Sequence, residues 1–269
     1  MYRLELGDCM ELLKGVTSES VDLVVTSPPY AEQRIDTYGG IRSEDYPEYM
    51  LSIGREIYRV LKPSGSFVLN IKEHVSNGAR DPYALKTVLA LSELFLWNDT
   101  YIWNKTNPFP TGNSKRLKDG FEYCYLFVKS PEYKFNPNNV LVESTSKWLE
   151  SEQRRNNKGE HNTTNGSGMN MSVRYSAEMV RPSNVLSLPI DSTNHEHPAT
   201  FPLGLPRFFI DLLTDPEDMV LDPFMGSGTT GVASVCEGRN FIGFEIVPKY
   251  FDIAKREIDQ VDVPALFRA

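Results

Sequence analysis

Val220-Leu221-Asp222-Pro223-Phe224-Met225-Gly226-Ser227-Gly228-Thr229-Thr230-Gly231 carries an apolar run into a glycine-rich turn and then into a helix-forming segment. Glycines there let the backbone approach a ligand closely, and the exposed N–H groups of a helix start favour an anion. Nineteen residues after Gly226 stands Glu245, at the end of the next expected strand, where an acid can accept hydrogen bonds from a ribose diol. Turn and acid together predict an adenosine-type cofactor. Gly226, Gly228 and Gly231 also satisfy GxGxxG, so a nicotinamide dehydrogenase competes, as does a turn with no ligand at all; the pattern alone is weakly specific. Position separates these readings. Gly231 leaves only 38 of the 269 residues after it, whereas an ordinary dinucleotide fold needs its remaining strands downstream of the glycine turn. The rest of the sheet must come from residues 1–130, which makes the order circularly permuted.

Working outward from that turn, the chain reads as α/β at both ends. Tyr2 to Leu6 alternates as a short strand, a brief helix follows Asp8, and Val21 to Thr26 is an almost wholly apolar, β-branched run of the kind buried in parallel sheets. From Asp45 to Leu61, apolar residues recur at helical spacing from Tyr46 to Leu61, and the helix stops at Lys62-Pro63-Ser64-Gly65, a turn sequence. Ser66 to Ile71 is the next strand, completing a βαβ unit. A helix near Pro82 to Phe95 leads to strands Trp97 to Asn104 and Glu122 to Lys129, both expected at a sheet edge. Between about Pro131 and Ile190 periodicity weakens and Asn, Ser and Gly accumulate, which predicts an insertion with little regular structure. Helix Pro202 to Leu213, strand Met219 to Pro223, helix Thr229 to Cys236, strand Asn240 to Ile246 and helix Pro248 to Gln260 close the chain.

A second stretch mirrors the first. Thr26-Ser27-Pro28-Pro29-Tyr30 ends the buried strand in two prolines and an aromatic ring. Two prolines fix φ and remove two N–H groups, so the turn is rigid and its carbonyls can face a ligand. It lies at a strand's carboxyl end, where open α/β sheets bind ligands. The Ser27 hydroxyl, the Pro28 carbonyl and the flat face of Tyr30 suit an exocyclic amine on a planar ring. Taken by itself, the same sequence also fits a strand cap followed by a surface turn.

Composition narrows the class. Hydrophobic residues are 40% and charged residues 24%, ordinary globular values that exclude a disordered or collagen-like chain. No apolar run approaches the roughly 18 residues of a membrane helix, and the amino terminus lacks a signal-peptide pattern, so no membrane and a cytoplasmic address are expected. Cys9, Cys124 and Cys236 lie far apart without a CxxC pair, which suits reduced packing thiols. His195 and His197 flank Glu196, but the chain supplies no spaced set to close a coordination shell, and no metal is expected. Net charge is -8, yet it is uneven: residues 61–190 hold 16 basic and 12 acidic side chains, while both ends are acidic. Within that basic middle, Lys105, Lys115, Arg116 and Lys118 cluster in one loop and Arg154, Arg155, Lys158, Arg174 and Arg181 dot another. Such loops could contact phosphates or could be a solvated surface of mixed charge.

The combination resembles the β-group of DNA amino-methyltransferases. The resemblance rests on Gly7-Asp8, the TSPPY turn at 26–30, Leu61-Lys62-Pro63-Ser64-Gly65, Phe121-Glu122-Tyr123, His197-Pro198-Ala199-Thr200-Phe201-Pro202, DPFMGSGTT at 222–230 and Phe244-Glu245, in that order. It implies a Rossmann-like methyltransferase fold, a mostly parallel twisted sheet with helices on both faces, circularly permuted and carrying an irregular target-recognition insertion. Residues 1–130 would be the catalytic half, 131–192 the target-recognition segment and 193–269 the cofactor half. The implied cofactor is S-adenosylmethionine, with Glu245 on the ribose, Asp8 and Phe224 near the adenine, and Asp222, Gly226, Ser227, Gly228, Thr229 and Thr230 around the methionine part.

The implied catalytic set is Ser27, Pro28, Pro29 and Tyr30. Serine before Pro-Pro-Tyr is associated in this family with cytosine N4, and aspartate with adenine N6. The implied substrate is double-stranded DNA whose target base is flipped into the pocket, with the basic loops on the phosphates. Cytosine C5 chemistry is disfavoured because no cysteine sits in a Pro-Cys turn. A DNA-binding relative without catalysis, an adenine enzyme and a protein-glutamine enzyme remain as alternatives. A companion restriction endonuclease and a homodimer are left undecided by the sequence.

Overall fold

The computed structural model describes residues 1–32, 40–76, 78–110, 115–144, 179–190 and 201–261. In chain order the elements are β1 (Tyr2–Leu6), α1 (Cys9–Lys14), β2 (Val21–Thr26), α2 (Tyr46–Val60), β3 (Leu61–Ile71), β4 (Val75–Ser76), β5 (Ala79–Arg80), α3 (Tyr83–Leu91), β6 (Leu96–Lys105), β7 (Phe121–Val128), a 3-10 turn (Pro137–Val140), β8 (Val142–Glu143), β9 (Met179–Val180), β10 (Val185–Leu188), α4 (Gly204–Leu213), β11 (Met219–Asp222), α5 (Thr229–Cys236), β12 (Asn240–Glu245) and α6 (Pro248–Asp259). The chain divides into two units. One comprises Met1–Asn136 with Asn184–Ala269, the other Pro137–Ser183.

In the first unit, among the described residues, eight strands form one sheet in the order β1-β12-β11-β2-β3-β7-β6-β10. Every neighbouring pair is parallel except those that β7 makes with β3 and β6. The last two strands of the chain therefore enter between the first two, the permuted arrangement expected from the position of the glycine turn. Alternation of side chains sorts the two faces. Ile242 and Phe244 of β12 join Leu13, Ile53, Ile57, Tyr83 and Leu91 of the α1, α2 and α3 layer in one core cluster. Phe241, one residue off, meets Gly231 of α5 on the other face, where α4, α5 and α6 pack together.

β2 is buried along its whole length, which its apolar run requires. Its one charged residue, Asp22, is satisfied by Lys62 at 2.8 and 2.9 Å and by the Met219 N–H at 2.9 Å. In the second unit, β8 and β9 form a two-residue antiparallel pair.

Two expectations are corrected. Lys62 to Gly65 does not separate α2 from the strand: β3 already begins at Leu61, which pairs with Val21, while Leu23 pairs with Ser66. The turn residues form a bulge inside the ladder, where two steps along β2 oppose five along β3. The two aromatic strands are not the sheet edge either. β7 is interior, and β10, inside the stretch expected to be irregular, is the last strand on that side. Four residues give too little periodicity to be read, whereas the unbroken burial of Cys124 to Val128 matches a central strand. Among the described residues no helix is long and apolar enough to cross a membrane.

Candidate functional site

Direct pairing of β11 with β2 places their carboxyl ends side by side. Thr26 and Asp222 end these strands, and the Thr26 hydroxyl donates to Asp222 Oδ1 at 2.6 Å. The other Asp222 oxygen accepts from Thr230 Oγ1 at 2.7 Å, and Oδ1 also accepts from the Phe224 N–H at 3.0 Å. One carboxylate, 2% exposed, thus ties the last residue of β2 to the glycine turn and to the first turn of α5. Burial lifts its pKa to about 6, against the opposing pull of those three hydrogen bonds.

The glycine turn keeps a backbone that other residues resist. Gly226 and Gly228 have φ of 53° and 89°, the left-handed region. A Cβ on Gly228 would lie 2.9 Å from Ala254 Cβ. Glu245, 4% exposed, closes the turn from the neighbouring strand: Oε2 accepts from the Gly226 N–H at 3.0 Å and Oε1 from the Val247 N–H at 2.8 Å. Burial raises its pKa, opposed by those backbone bonds. On its other side Leu6 pairs with Glu245, the Gly7 N–H donates to the Glu245 carbonyl, and Asp8 caps α1 by accepting from the Met10 N–H. Cys9 sits behind these acids with its thiol pushed up to about 12, first by burial and then by Asp8. A thiol so held is a packing group.

The Ser27 to Tyr30 turn is braced on both sides. Tyr46, fully buried on α2, donates its hydroxyl to the Pro29 carbonyl at 2.9 Å. Tyr30 donates its hydroxyl to Glu122 Oε2 at 2.9 Å. Burial holds the Tyr30 phenol well above its usual pKa, the Glu122 charge adds to this, and a hydrogen bond from the Ser27 side chain works against it. Because β7 is antiparallel, its first residues lie at the carboxyl end of β3, with Ile71 opposite Tyr123. Lys105, the last residue of β6, arrives at the same rim and binds Glu122 Oε1 at 2.5 Å, and Lys72 lies 3.8 Å from that oxygen. Next to them is a cleft of about 360 Å3 whose lining includes Lys72, Arg80, Arg116 and Lys118 with Glu73 and Asp119.

The structure therefore brings Asp8, Ser27, Pro28, Pro29, Tyr30, Asp222, Phe224, Gly226, Ser227, Gly228, Thr229, Thr230 and Glu245 to adjacent strand ends on one rim. Lys105 departs from the loop cation expected of it: its side chain is 10% exposed and is held by Glu122 rather than facing solvent. Lys115 and Lys118 are exposed, and Arg116 reaches Asp119 at 3.4 Å. Arg181 belongs to the second unit. Arg154, Arg155, Lys158, Arg174, His195 and His197 lie outside the described residues. Glu122, within Phe121-Glu122-Tyr123, is a member of this rim that the motifs do not single out; its one signal in the sequence is an acid in an otherwise apolar strand.

A parallel sheet with one reversed strand, flanked by helices and bearing a glycine turn and an acid at adjacent strand ends, defines a Rossmann-like methyltransferase fold. The family model described as DNA methylase matches residues 21–256, and the chain belongs to this family of N6 and N4 enzymes. It is 32% identical over 272 residues to the type II methyltransferase M.PvuII of Proteus hauseri, spanning 91% of this chain and 80% of that protein. The solved structure of the PvuII cytosine-N4-specific DNA methyltransferase superposes with a TM-score of 0.72 at 26% identity, covering 100% of this chain and 98% of that one. The DNA adenine methyltransferase YhdJ of Escherichia coli K12 is 28% identical over 261 residues, 94% of this chain and 81% of that protein. The M1.HpyAVI–SAM complex shares the fold, with a TM-score of 0.62 at 24% identity over 96% of this chain and 100% of that one.

Proposed function

We propose that this chain transfers a methyl group from S-adenosylmethionine to the N4 amine of cytosine in double-stranded DNA, after the base is flipped from the stack. The observation that carries the reading is the Thr26–Asp222–Thr230 bridge, which sets the Ser27 turn beside the glycine turn at one rim. The residues present fit the cofactor: a turn shaped by two left-handed glycines lies against the buried acid Glu245. In this reading Glu245 takes the ribose, Asp8 and Phe224 border the adenine, and the Gly226 to Thr230 turn surrounds the methionine part. Asp222, whose oxygens already serve Thr26, Phe224 and Thr230, acts by holding that turn.

The bound cofactor supplies an electrophilic sulfonium methyl. Ser27 Oγ and the Pro28 carbonyl accept hydrogen bonds from the amine, which favours a pyramidal nitrogen and frees its lone pair for attack. Pro29 keeps the turn rigid through Tyr46. Tyr30 offers its face to the flipped base, offsetting the few kcal/mol of unstacking. Lys115, Arg116 and Lys118, with Arg181 and the basic residues at 154, 155, 158 and 174, are assigned to phosphates. In the division proposed here residues 1–130 form the catalytic half, 131–192 recognise the target and 193–269 form the cofactor half.

Ser27 and the likeness to a cytosine-N4-specific enzyme favour cytosine. The likeness to an adenine methyltransferase supports adenine N6 as the second reading. Labelled methyl transfer to mixed-sequence duplex DNA followed by nucleoside analysis decides: N4-methylcytosine is expected, N6-methyladenine would install the second reading, and no product would overturn both. Ser27→Ala is expected to lose most turnover while binding cofactor normally, and wild-type turnover would remove the role given to the serine.

A further inference from the structure

Amine methylation leaves a proton to dispose of, and a neutral serine cannot keep it. Ser27 and Tyr30 stand three residues apart in one proline-braced turn, and Tyr30 donates to Glu122 at 2.9 Å. Glu122 is held in place by Lys105 at 2.5 Å and lies 3.8 Å from Lys72. Glu122 is 7% exposed, so bulk water does not replace this route directly. Glu122 lies 92 positions along the chain from Tyr30, yet the antiparallel course of β7 delivers it behind the Ser27 turn. Nothing in the binding roles assigned above calls for a buried acid at this place.

We propose that Glu122 is the terminal proton acceptor of methyl transfer, reached through Ser27 and Tyr30. The proposal rests on the amino-methyltransferase reading. As the amine nitrogen forms its bond to the methyl carbon, the carbon–sulfur bond breaks and its electron pair stays on sulfur. The nitrogen's proton passes to Ser27 Oγ, Ser27's own proton to Tyr30 Oη, and Tyr30's proton to Glu122 Oε2. Serine and tyrosine end neutral, as they began, and the carboxylate ends as a carboxylic acid that later returns its proton to solvent. An exocyclic amine carrying a full positive charge is a far stronger acid than a carboxylic acid, so the transfer runs downhill. Lys105 and Lys72 orient the acceptor.

Glu122→Gln keeps an oxygen for the Tyr30 hydroxyl and removes the acceptor; Tyr30→Phe keeps the ring and cuts the chain. Each is expected to slow single-turnover methyl transfer roughly a hundredfold or more, the usual range for a lost general base. Binding of S-adenosylmethionine and of duplex DNA, titrated separately, should stay within about twofold of wild type, as should the melting temperature within a few degrees. The double variant should be no slower than the worse single one, because members of one relay fail together. Near-normal transfer in Glu122→Gln overturns the relay, as does a loss confined to binding or folding. Wild-type enzyme that methylates no DNA at all would instead sink the functional reading beneath it.

Discussion

Replacing Asp222 by asparagine isolates the electrostatics of the junction between the two turns. The carboxyl is 2% exposed and its pKa is raised from 3.8 to about 6 by burial. That gap corresponds to about 3 kcal/mol of native-state stability. The sign follows from proton counting. Between the two values the folded state holds a proton on Asp222 that the unfolded state has released, so stability falls as pH rises. The contribution is fully present below about pH 4 and is lost by about pH 7. Other carboxylates pull the opposite way, Asp215 among them because its hydrogen bond to Lys134 lowers its pKa. The difference between wild type and Asp222→Asn removes those shared terms. Glu245, whose own rise is reinforced by the Asp222 charge, adds in the same sense.

The assay is urea unfolding of both proteins without cofactor at several pH values from about 4 to 7, with the slopes checked for equality. Asparagine keeps Oδ1 for Thr26 and Phe224, while its amide faces Thr230, whose hydroxyl can rotate to accept. Wild-type stability minus variant stability should therefore drop by about 3 kcal/mol across that range. A difference constant to within about 1 kcal/mol would refute the reasoning, because it would mean that the folded protein carries no penalised charge at Asp222.

Gly228→Ala forces a side chain into a left-handed position 2.9 Å from Ala254 Cβ, and should destabilise the fold by about 1–3 kcal/mol in denaturant titrations. Glu245→Ala should weaken S-adenosylmethionine binding at least about tenfold by calorimetry, the scale of one charge-assisted hydrogen bond; unchanged affinity would remove its ribose assignment. Neutralising Arg116 and Lys118 together should flatten the salt dependence of DNA binding by nearly two units of slope if both touch phosphates, while leaving cofactor affinity alone.

The sheet was readable where pattern was strong. The all-buried run of β2, the helical spacing of α2 and the strand–turn–helix at Met219 to Cys236 each stand where the sequence placed them. β10 escaped because four residues carry no measurable period, and Lys62 to Gly65 misled because a bulge uses the residues of a turn. Among site residues, glycines and prolines announce themselves by what they do to the backbone. Lys105 and Glu122 do not. Each looked ordinary until β6 and β7 aligned them: a loop cation became half of a buried ion pair, and an acid in an apolar strand acquired Tyr30 and Lys105 as partners.

Charge placement across the sheet carries the argument further. Asp22, near the amino end of β2, is neutralised by Lys62, and Arg239, near the amino end of β12, is held by Thr214 and lies 3.6 Å from Asp211. At the opposite rim, among the described residues, neither Asp222 nor Glu245 forms an ion pair; both are satisfied by N–H and hydroxyl donors, and burial raises the pKa of each. Neutral donors stabilise a carboxylate without cancelling its charge, so the carboxyl ends of β11 and β12 each carry a buried acid with no cationic partner among the described residues. Cations gather beside β3 and β7, where Lys72, Arg80, Arg116 and Lys118 line the cleft and outnumber Glu73 and Asp119, the two acids that pair with the first three. The proposed sites follow this division, with the sulfonium donor over the first region and phosphate over the second. Ser27, at the end of β2, stands between the two regions, and in the proposed reading it receives the amine there.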